Sequence, residues 1–159
     1  MLLKDKVQNI NKPLIAAAIL CALASLAHFG CIVFGADWYR FFGAGEQMAR
    51  MAEQGLWYPS IVTAVLVTVL ASWSLYALSA VGVIRRLPLI RLALCLISTL
   101  FILRAVSFAA LQPMFPENSM TFWYVSSAIC LTIGLCFAVG TYQQWQKLSE
   151  KNDKVKYQR

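Results

Sequence analysis

Charged residues are scarce in this sequence, and acidic residues are the scarcer kind. Only 13% of the 159 residues are Asp, Glu, Lys or Arg, and seven of these are acidic, whereas a soluble domain has about 25% charged residues. Hydrophobic residues make up 60% of the chain, and the mean hydropathy is +0.64. This balance excludes a disordered chain and argues against an ordinary soluble domain. The sequence therefore indicates an integral membrane protein.

Residues that bind metals or carry out catalysis are also few. The chain has one histidine, His28, and its five cysteines form no C-x-x-C motif. A zinc site needs several such ligands at short spacings, and haem ligation would rest on this one histidine. No carboxylate lies inside an apolar run, and no basic stretch is interleaved with aromatic residues. We expect no metal, no cofactor and no nucleic-acid partner.

Four long apolar runs divide the chain, and each predicts a membrane-spanning helix. About 20 helical residues cross a hydrocarbon core about 30 Å thick. Helices are favoured because they satisfy their own backbone hydrogen bonds without water. The predicted fold class is all-α: a polytopic membrane protein, with a four-transmembrane-helix bundle as a single domain over residues 1–159. The predicted spans are residues 13–34, 59–84, 88–111 and 120–141.

Most basic residues lie on one side of the predicted bundle. Eleven Lys and Arg residues flank that side, whereas only Arg40 and Arg50 lie in the loops on the other. Because basic residues are retained on the cytoplasmic side, we expect both termini and the basic tail, residues 142–159, in the cytoplasm. The composition is typical of a bacterial protein, which predicts the plasma (inner) membrane and membrane lipids as partners. The eleven are Lys4, Lys6, Lys12, Arg85, Arg86, Arg91, Lys147, Lys151, Lys154, Lys156 and Arg159.

The start of the chain also has features of a secretory signal peptide. Three lysines precede an apolar run that contains the small-residue pattern Ala22-Leu23-Ala24. The apolar run nevertheless continues to Phe34, which is longer than a signal peptide requires. We therefore expect the first run to remain as a membrane helix.

The loop after the first run predicts a short amphipathic helix. Residues 44–54 have helical periodicity, with glycines at positions 43, 45 and 55 that let the chain turn at either end. Glu46 and Arg50 are spaced i,i+4 in the favourable order. We expect this helix to lie on the outer surface or over the mouth of the bundle. Its predicted apolar face carries Ala44, Met48, Met51 and Ala52, and its polar face carries Glu46, Gln47, Arg50, Glu53 and Gln54.

Two ionisable side chains, His28 and Arg104, lie well inside the predicted spans. Both are expected about 9–11 Å below the outer ends of their helices. A charge inside the membrane costs about 2.5–3.5 kcal/mol on insertion scales, so Arg104 needs an acceptor. The polar residues expected in the same layer are Thr63, Ser107, Tyr124, Ser126 and Ser127.

The acids of the first outer loop are the nearest predicted partners of Arg104. We predict Glu46 or Asp37 within salt-bridge reach of Arg104, with His28 in the same cluster. Glu117 and a lipid phosphate are alternatives, and Arg104 could instead extend toward the headgroups. The candidate ligand-binding residues are His28, Asp37, Arg40, Glu46, Arg50, Arg104 and Tyr124.

Three functions follow from these features. The first is a small non-enzymatic membrane protein that binds a lipid, a small molecule or a partner protein at an outward-facing polar mouth. The second is a small transporter or channel that acts as an oligomer, since Gly134, Ala138 and Thr141 would permit close helix association. The third is a membrane-embedded enzyme with His28 as general base, for which no orienting acid lies in the same span.

Overall fold

The computed structural model describes residues 11–150, and over this range the chain forms helices and no strands. Four helices are long: α1 (Lys12–Phe34), α4 (Trp57–Ala80), α5 (Ile90–Val106) and α7 (Met120–Gln143). Four are short: α2 (Ala36–Phe41), α3 (Glu46–Glu53), α6 (Phe108–Leu111) and α8 (Trp145–Glu150). A 3₁₀ turn (Gln112–Met114) follows α6.

Three or four of these helices could cross a membrane. Helices α1, α4 and α7 have 23, 24 and 24 residues and are apolar enough to span alone. The third apolar run is not one straight helix, because α5 and the segment Phe108–Met114 meet at a 60° bend. The prediction of an all-helical chain is confirmed. The predicted continuous helix over residues 88–111 is wrong.

The bend in the third run has a local cause at Ser107. The Ser107 backbone N–H donates to the Leu103 carbonyl at 2.9 Å, and the Ser107 hydroxyl donates to the same carbonyl at 2.6 Å. A serine that bonds back in this way tends to bend a helix. The straight part of the run therefore ends at Val106.

The long helices pack as an antiparallel ring in the order α1, α4, α5, α7. Helix α1 packs on α4 and α7, and α5 packs on the same two helices. Small residues allow close approach: a Cβ on Gly134 would lie 2.8 Å from the Ile102 side chain of α5. The shared core contains the buried residues Leu14, Ala17, Cys21, Leu94, Ile97, Phe101, Ile133 and Phe137.

Serine hydroxyls join the helices by bonding to carbonyls of their neighbours. Ser74 of α4 donates to the Ala18 carbonyl at 2.8 Å, and Ser25 of α1 donates to the Val67 carbonyl at 3.0 Å. Ser98 of α5 donates to the Gly134 carbonyl at 3.0 Å. These bonds satisfy polar groups in an apolar interior and fix the register of the pairs.

One end of the bundle, which we call the basic end, gathers the starts of α1 and α5 and the ends of α4 and α7. There Arg91 donates to the Ser149 hydroxyl at 3.0 Å, and its guanidinium lies 3.8 Å from the centre of the Trp145 ring. Arg86 donates to the Leu148 carbonyl. Helix α8 is thereby held against the bundle. The remaining basic residues predicted for this side, Lys4, Lys6, Lys151, Lys154, Lys156 and Arg159, lie outside the described residues.

Asn11 connects the start of α1 to the end of α7. Its Oδ1 accepts from the Leu14 backbone N–H at 2.9 Å, which makes it the N-cap of α1. Its Nδ2 donates to the Gly140 carbonyl at 3.0 Å and to Gln143 Oε1 at 3.2 Å. The residue is buried, so both functions of the amide are shielded from water.

We predict that Asn11→Ala lowers the free energy of unfolding by about 2–3 kcal/mol, because it removes an N-cap and leaves a buried carbonyl without its donor. Asn11→Ser keeps a capping oxygen, so its free energy of unfolding should fall by about half as much. Equilibrium unfolding in mixed micelles, followed by tryptophan fluorescence, measures both. Wild-type stability in the alanine variant would contradict the prediction.

Candidate ligand-binding site

The other end of the bundle is covered by α2 and α3, which we call the cap. Gly35 (φ 75°) separates α1 from α2, and Gly43 (φ 68°) and Gly45 (φ 91°) precede α3. These left-handed angles favour glycine. The predicted amphipathic helix is confirmed as α3, and its buried face centres on Ala49, which is fully buried against Tyr39 and Cys31.

Arg40 of α2 is the centre of the charged network in the cap. Its Nε and Nη2 donate to the two Glu46 oxygens at 2.9 and 3.0 Å, and Nη2 also donates to Glu53 Oε1 at 2.8 Å. Asp37 Oδ1 lies 3.4 Å from Nη1. Arg50 adds a single contact, from its Nε to Glu46 Oε1 at 3.2 Å. The network thus joins α2 to α3 through a bidentate arginine–carboxylate pair.

The network holds Glu46 in its ionised form. Hydrogen bonds from Arg40, and then from Arg50, lower the pKa of Glu46 from 4.5 to about 2. The same contacts, with Glu46 first and Glu53 next, raise the pKa of Arg40. All these side chains are at least partly exposed, so the energy of the individual pairs is reduced by solvent.

Arg104 lies apart from this network, between α5 and α7. Its Nη2 is 3.5 Å from the Ser126 hydroxyl, and its guanidinium carbon is 5.4 Å from the centre of the Trp123 ring. Its Nη1 is buried and has no acceptor within hydrogen-bond distance among the described residues. Among the side chains of residues 11–149, no carboxylate lies within 4.0 Å of this guanidinium.

The predicted pairing of Glu46 or Asp37 with Arg104 is therefore wrong. Both acids are satisfied by Arg40, which lies three residues from Asp37 and six from Glu46. Closing so short a loop orders little chain, so the local partner is favoured over a distant one. The bend at Ser107 also places Arg104 in the last turn of α5, where the helix dipole favours a cation.

His28 does not join Arg104 either. Its Nδ1 is 2.7 Å from the Ala24 carbonyl of its own helix, and its ring lies 6.1 Å from that of Phe42 in the cap. A carbonyl only accepts, so Nδ1 carries the hydrogen. His28 is six residues from the end of α1 and Arg104 two from the end of α5, about 9 and 3 Å along their axes. These distances are measured from two different helix ends, so the predicted common layer of His28 and Arg104 stays a prediction.

Tyr124 lies on the exposed face of α7. Its side chain is 59% exposed, and its ring packs at 5.8 Å from that of Phe108 in α6. The seven predicted site residues therefore separate into the cap network (Asp37, Arg40, Glu46 and Arg50), the isolated Arg104, His28 beneath the cap and Tyr124 on the surface.

Sequence reasoning missed Trp123, the aromatic neighbour of Arg104. Trp123 is 2% exposed, and its Nε1–H is buried without a protein acceptor. The hydroxyl of Ser127, one turn further along α7, is also buried without a partner. The signal was available in the spacing, because residues i and i+4 share a helix face. We call Arg104, Trp123, Ser126 and Ser127 the Arg104 site.

The connection before α7 attaches this site to the cap. Asn118 Nδ2 donates to the Gly43 carbonyl at 3.0 Å. The Phe122 ring lies so close to Gly43 that a Cβ there would be 2.2 Å from the ring. Trp123 is packed between the rings of Phe115 and Phe122, at 6.4 and 5.8 Å. The Arg104 site therefore lies directly beneath the cap end of α7.

The described residues contain no group of three or more His, Cys, Asp and Glu side chains arranged to hold a metal ion. Comparison with protein-family models, curated proteins and solved structures finds no match to this chain.

We predict that the cap loosens as the pH falls from 5 to 2. A carboxylate whose pKa is lowered on folding stabilises the folded state above its ordinary pKa, near 4.5, and this contribution is lost as the pH approaches about 2. Hydrogen exchange of the α3 amides, corrected for the intrinsic pH dependence, measures the loss.

Arg40→Gln should give faster exchange of α3 at neutral pH and a flatter pH profile, because Glu46 loses its main partner. Arg50→Gln removes one exposed contact and should have a smaller effect. Equal protection of α3 in wild type and Arg40→Gln would contradict the role assigned to this network.

Proposed function

We propose that the chain is an integral membrane protein with four crossings, the third of them bent, and that it binds an acidic ligand group at Arg104 without catalysing a reaction. The proposed location is the plasma membrane, of the bacterial inner-membrane kind, with both termini in the cytoplasm. The observation that carries the binding proposal is the buried Nη1 of Arg104, whose guanidinium has no carboxylate partner among the side chains of residues 11–149.

The exposed apolar surface supports the membrane part of the proposal. Only 33%, 22% and 22% of the most apolar windows of α1, α4 and α7 are buried within the bundle. A monomeric soluble protein rarely exposes contiguous apolar surface on this scale. Lipid tails would cover it, and the basic end would then face the cytoplasm by the distribution of Lys and Arg.

The chemistry of the Arg104 site supports an acidic ligand. Arg104 and Trp123 each present a buried N–H that lacks a protein acceptor, and Ser127 presents a buried hydroxyl without a partner. Leaving such a donor unpaired costs about 1–3 kcal/mol, and more when it is charged. A phosphate or carboxylate would satisfy the guanidinium and neutralise its charge.

The position of Arg104 in the fold also supports an acidic ligand. Arg104 is in the last turn of α5, and the chain turns by 60° just beyond it. Tyr124 lies beside this turn on the exposed surface and packs against the half-buried Phe108, and aromatic residues are typical of the headgroup level of a membrane. A lipid phosphate, or an acid carried by a membrane-soluble molecule, would reach Arg104 at that level.

Two polar residues of α4 that could line a path through the bundle are already engaged. Thr68 and Ser72 of α4 donate to carbonyls of their own helix at 2.8 Å, so their hydroxyls are satisfied without a water-filled path. Gly134 is used for contact with α5 inside one copy of the chain. A transporter and an enzyme that uses His28 are therefore less well supported than binding.

We predict that Arg104→Met weakens ligand binding without lowering the stability of the protein. Because the wild-type charge has no acid partner, its removal should leave the ligand-free protein equally stable or more stable. The acidic ligand that copurifies with wild type in mild detergent, detected by native mass spectrometry, should be lost or weakened about 10–100-fold. Arg104→Lys should bind with intermediate affinity.

Arg50→Gln is the matched control, because it removes an exposed arginine from the same end and should keep the ligand. A loss of several kcal/mol of stability in Arg104→Met would indicate a structural ion pair and contradict the proposal. Unchanged ligand content in that variant would contradict it as well.

A further inference from the structure

A groove between α5 and α7 opens at the basic end, far from Arg104. It has a volume of about 860 Å³. Its inner wall includes Leu94 and Ser98 of α5 and Ala138 of α7, and its mouth includes Tyr142, Trp145 and Lys147. The groove is therefore bounded by two apolar helices, and α8 lies at its mouth.

The inner wall suits a hydrocarbon chain. Two of its hydroxyl groups are satisfied by backbone carbonyls: Ser98 donates to Gly134 at 3.0 Å, and Thr99 donates to Cys95 at 2.9 Å. The hydroxyl of Thr141, beside Tyr142 at the mouth, is buried without a partner among the described residues. The mouth carries Tyr142 and Trp145, the residue types typical of the headgroup level of a membrane.

The mouth of the groove is also cationic. Lys147 lines both the groove and a neighbouring cavity of about 530 Å³, which Arg85 and Arg86 line as well. Arg86 is engaged with the Leu148 carbonyl, whereas Arg85 and Lys147 make no salt bridge to any described residue. Among the described side chains, no Asp or Glu lines either space. An anion at this junction would meet two cations.

The cavity is held in shape by the buried Ser79. Its hydroxyl donates to the Arg85 carbonyl at 3.2 Å and accepts from the Leu87 backbone N–H at 2.8 Å. The link between α4 and α5 is thereby fixed around this side chain, and Arg85 is positioned at the edge of the cavity rather than on a free loop.

We infer that the α5–α7 groove binds one anionic phospholipid from the leaflet at the basic end. One acyl chain lies along the groove, the phosphate contacts Lys147, and a second polar or charged part of the headgroup extends toward Arg85. Lys147 belongs to both spaces, so a single molecule with a chain and a phosphate occupies them together. This site rests on the membrane crossing proposed above and is independent of the Arg104 site.

The test uses the full-length protein, delipidated in mild detergent and carrying Arg104→Gln so that the cap-end site does not contribute. Binding of phosphatidylglycerol and of phosphatidylcholine is titrated by native mass spectrometry. Phosphatidylglycerol should bind more tightly. Lys147→Gln should weaken its binding about fivefold, the equivalent of about 1 kcal/mol for one basic residue near the surface.

Two matched controls distinguish binding in the groove from attraction to any basic residue and from binding anywhere on the apolar surface. Lys12→Gln removes an exposed cation at the same end that lines neither space, and it should bind like the parent. Ala138→Leu fills the groove and should weaken phosphatidylglycerol binding, whereas Ala128→Leu on the exposed face of α7 should not. Glycerol 3-phosphate at matched concentration should not compete.

Equal losses of phosphatidylglycerol affinity in Lys147→Gln and Lys12→Gln would show that the lipid is attracted to a diffuse basic surface, and this would overturn the inference. Unaltered binding in Ala138→Leu, or displacement by glycerol 3-phosphate, would show that no acyl chain occupies the groove and would overturn it too. Because every variant lacks Arg104, none of these results bears on the ligand proposed for the Arg104 site.

Discussion

The structure depends on one constraint, which is that its helices expose most of their apolar surface and need an apolar environment. In such surroundings an unpaired polar group is costly, so each polar group needs a partner within the protein. Many of the hydroxyls follow this rule, although those of Tyr39, Ser127 and Thr141 are buried without a partner among the described residues. Those of Thr68, Thr99 and Thr132 donate to the carbonyl four residues earlier, while Ser25, Ser74 and Ser98 donate to carbonyls of adjacent helices.

Arg104 differs from the paired arginines, and the proposed binding function rests on this difference. Arg40 and Arg50 are paired with carboxylates, and Arg86 and Arg91 are bonded to α8. Arg104 has a long contact of 3.5 Å to Ser126 and a buried nitrogen without an acceptor. Its neighbour Trp123 also has a buried donor without a partner. A buried cationic donor beside a second buried donor, neither of them matched by an acceptor among the described residues, points to a ligand.

Much of the fold could be predicted from the sequence because apolar run length and helical periodicity are local signals. The four runs, the antiparallel order and the helix Glu46–Glu53 follow from them. The bend at Ser107 could not be predicted, because it depends on which carbonyl one hydroxyl selects. The pairing of Glu46 with Arg40 rather than with Arg104 could not be predicted either, because it depends on how two short helices pack around the Gly43–Gly45 turn.

The proposed topology of four membrane crossings is tested most directly by asking whether the bent third run crosses the membrane. In a background without the five native cysteines, Gln47→Cys places a thiol on the cap and Gln146→Cys places one on α8. Right-side-out vesicles are treated with a membrane-impermeant maleimide before and after permeabilisation. Four crossings predict that the cap thiol reacts at once and that the α8 thiol reacts only after permeabilisation. If the third run does not cross, α7 is inverted, and both thiols would react from the outside before permeabilisation, which would contradict the account.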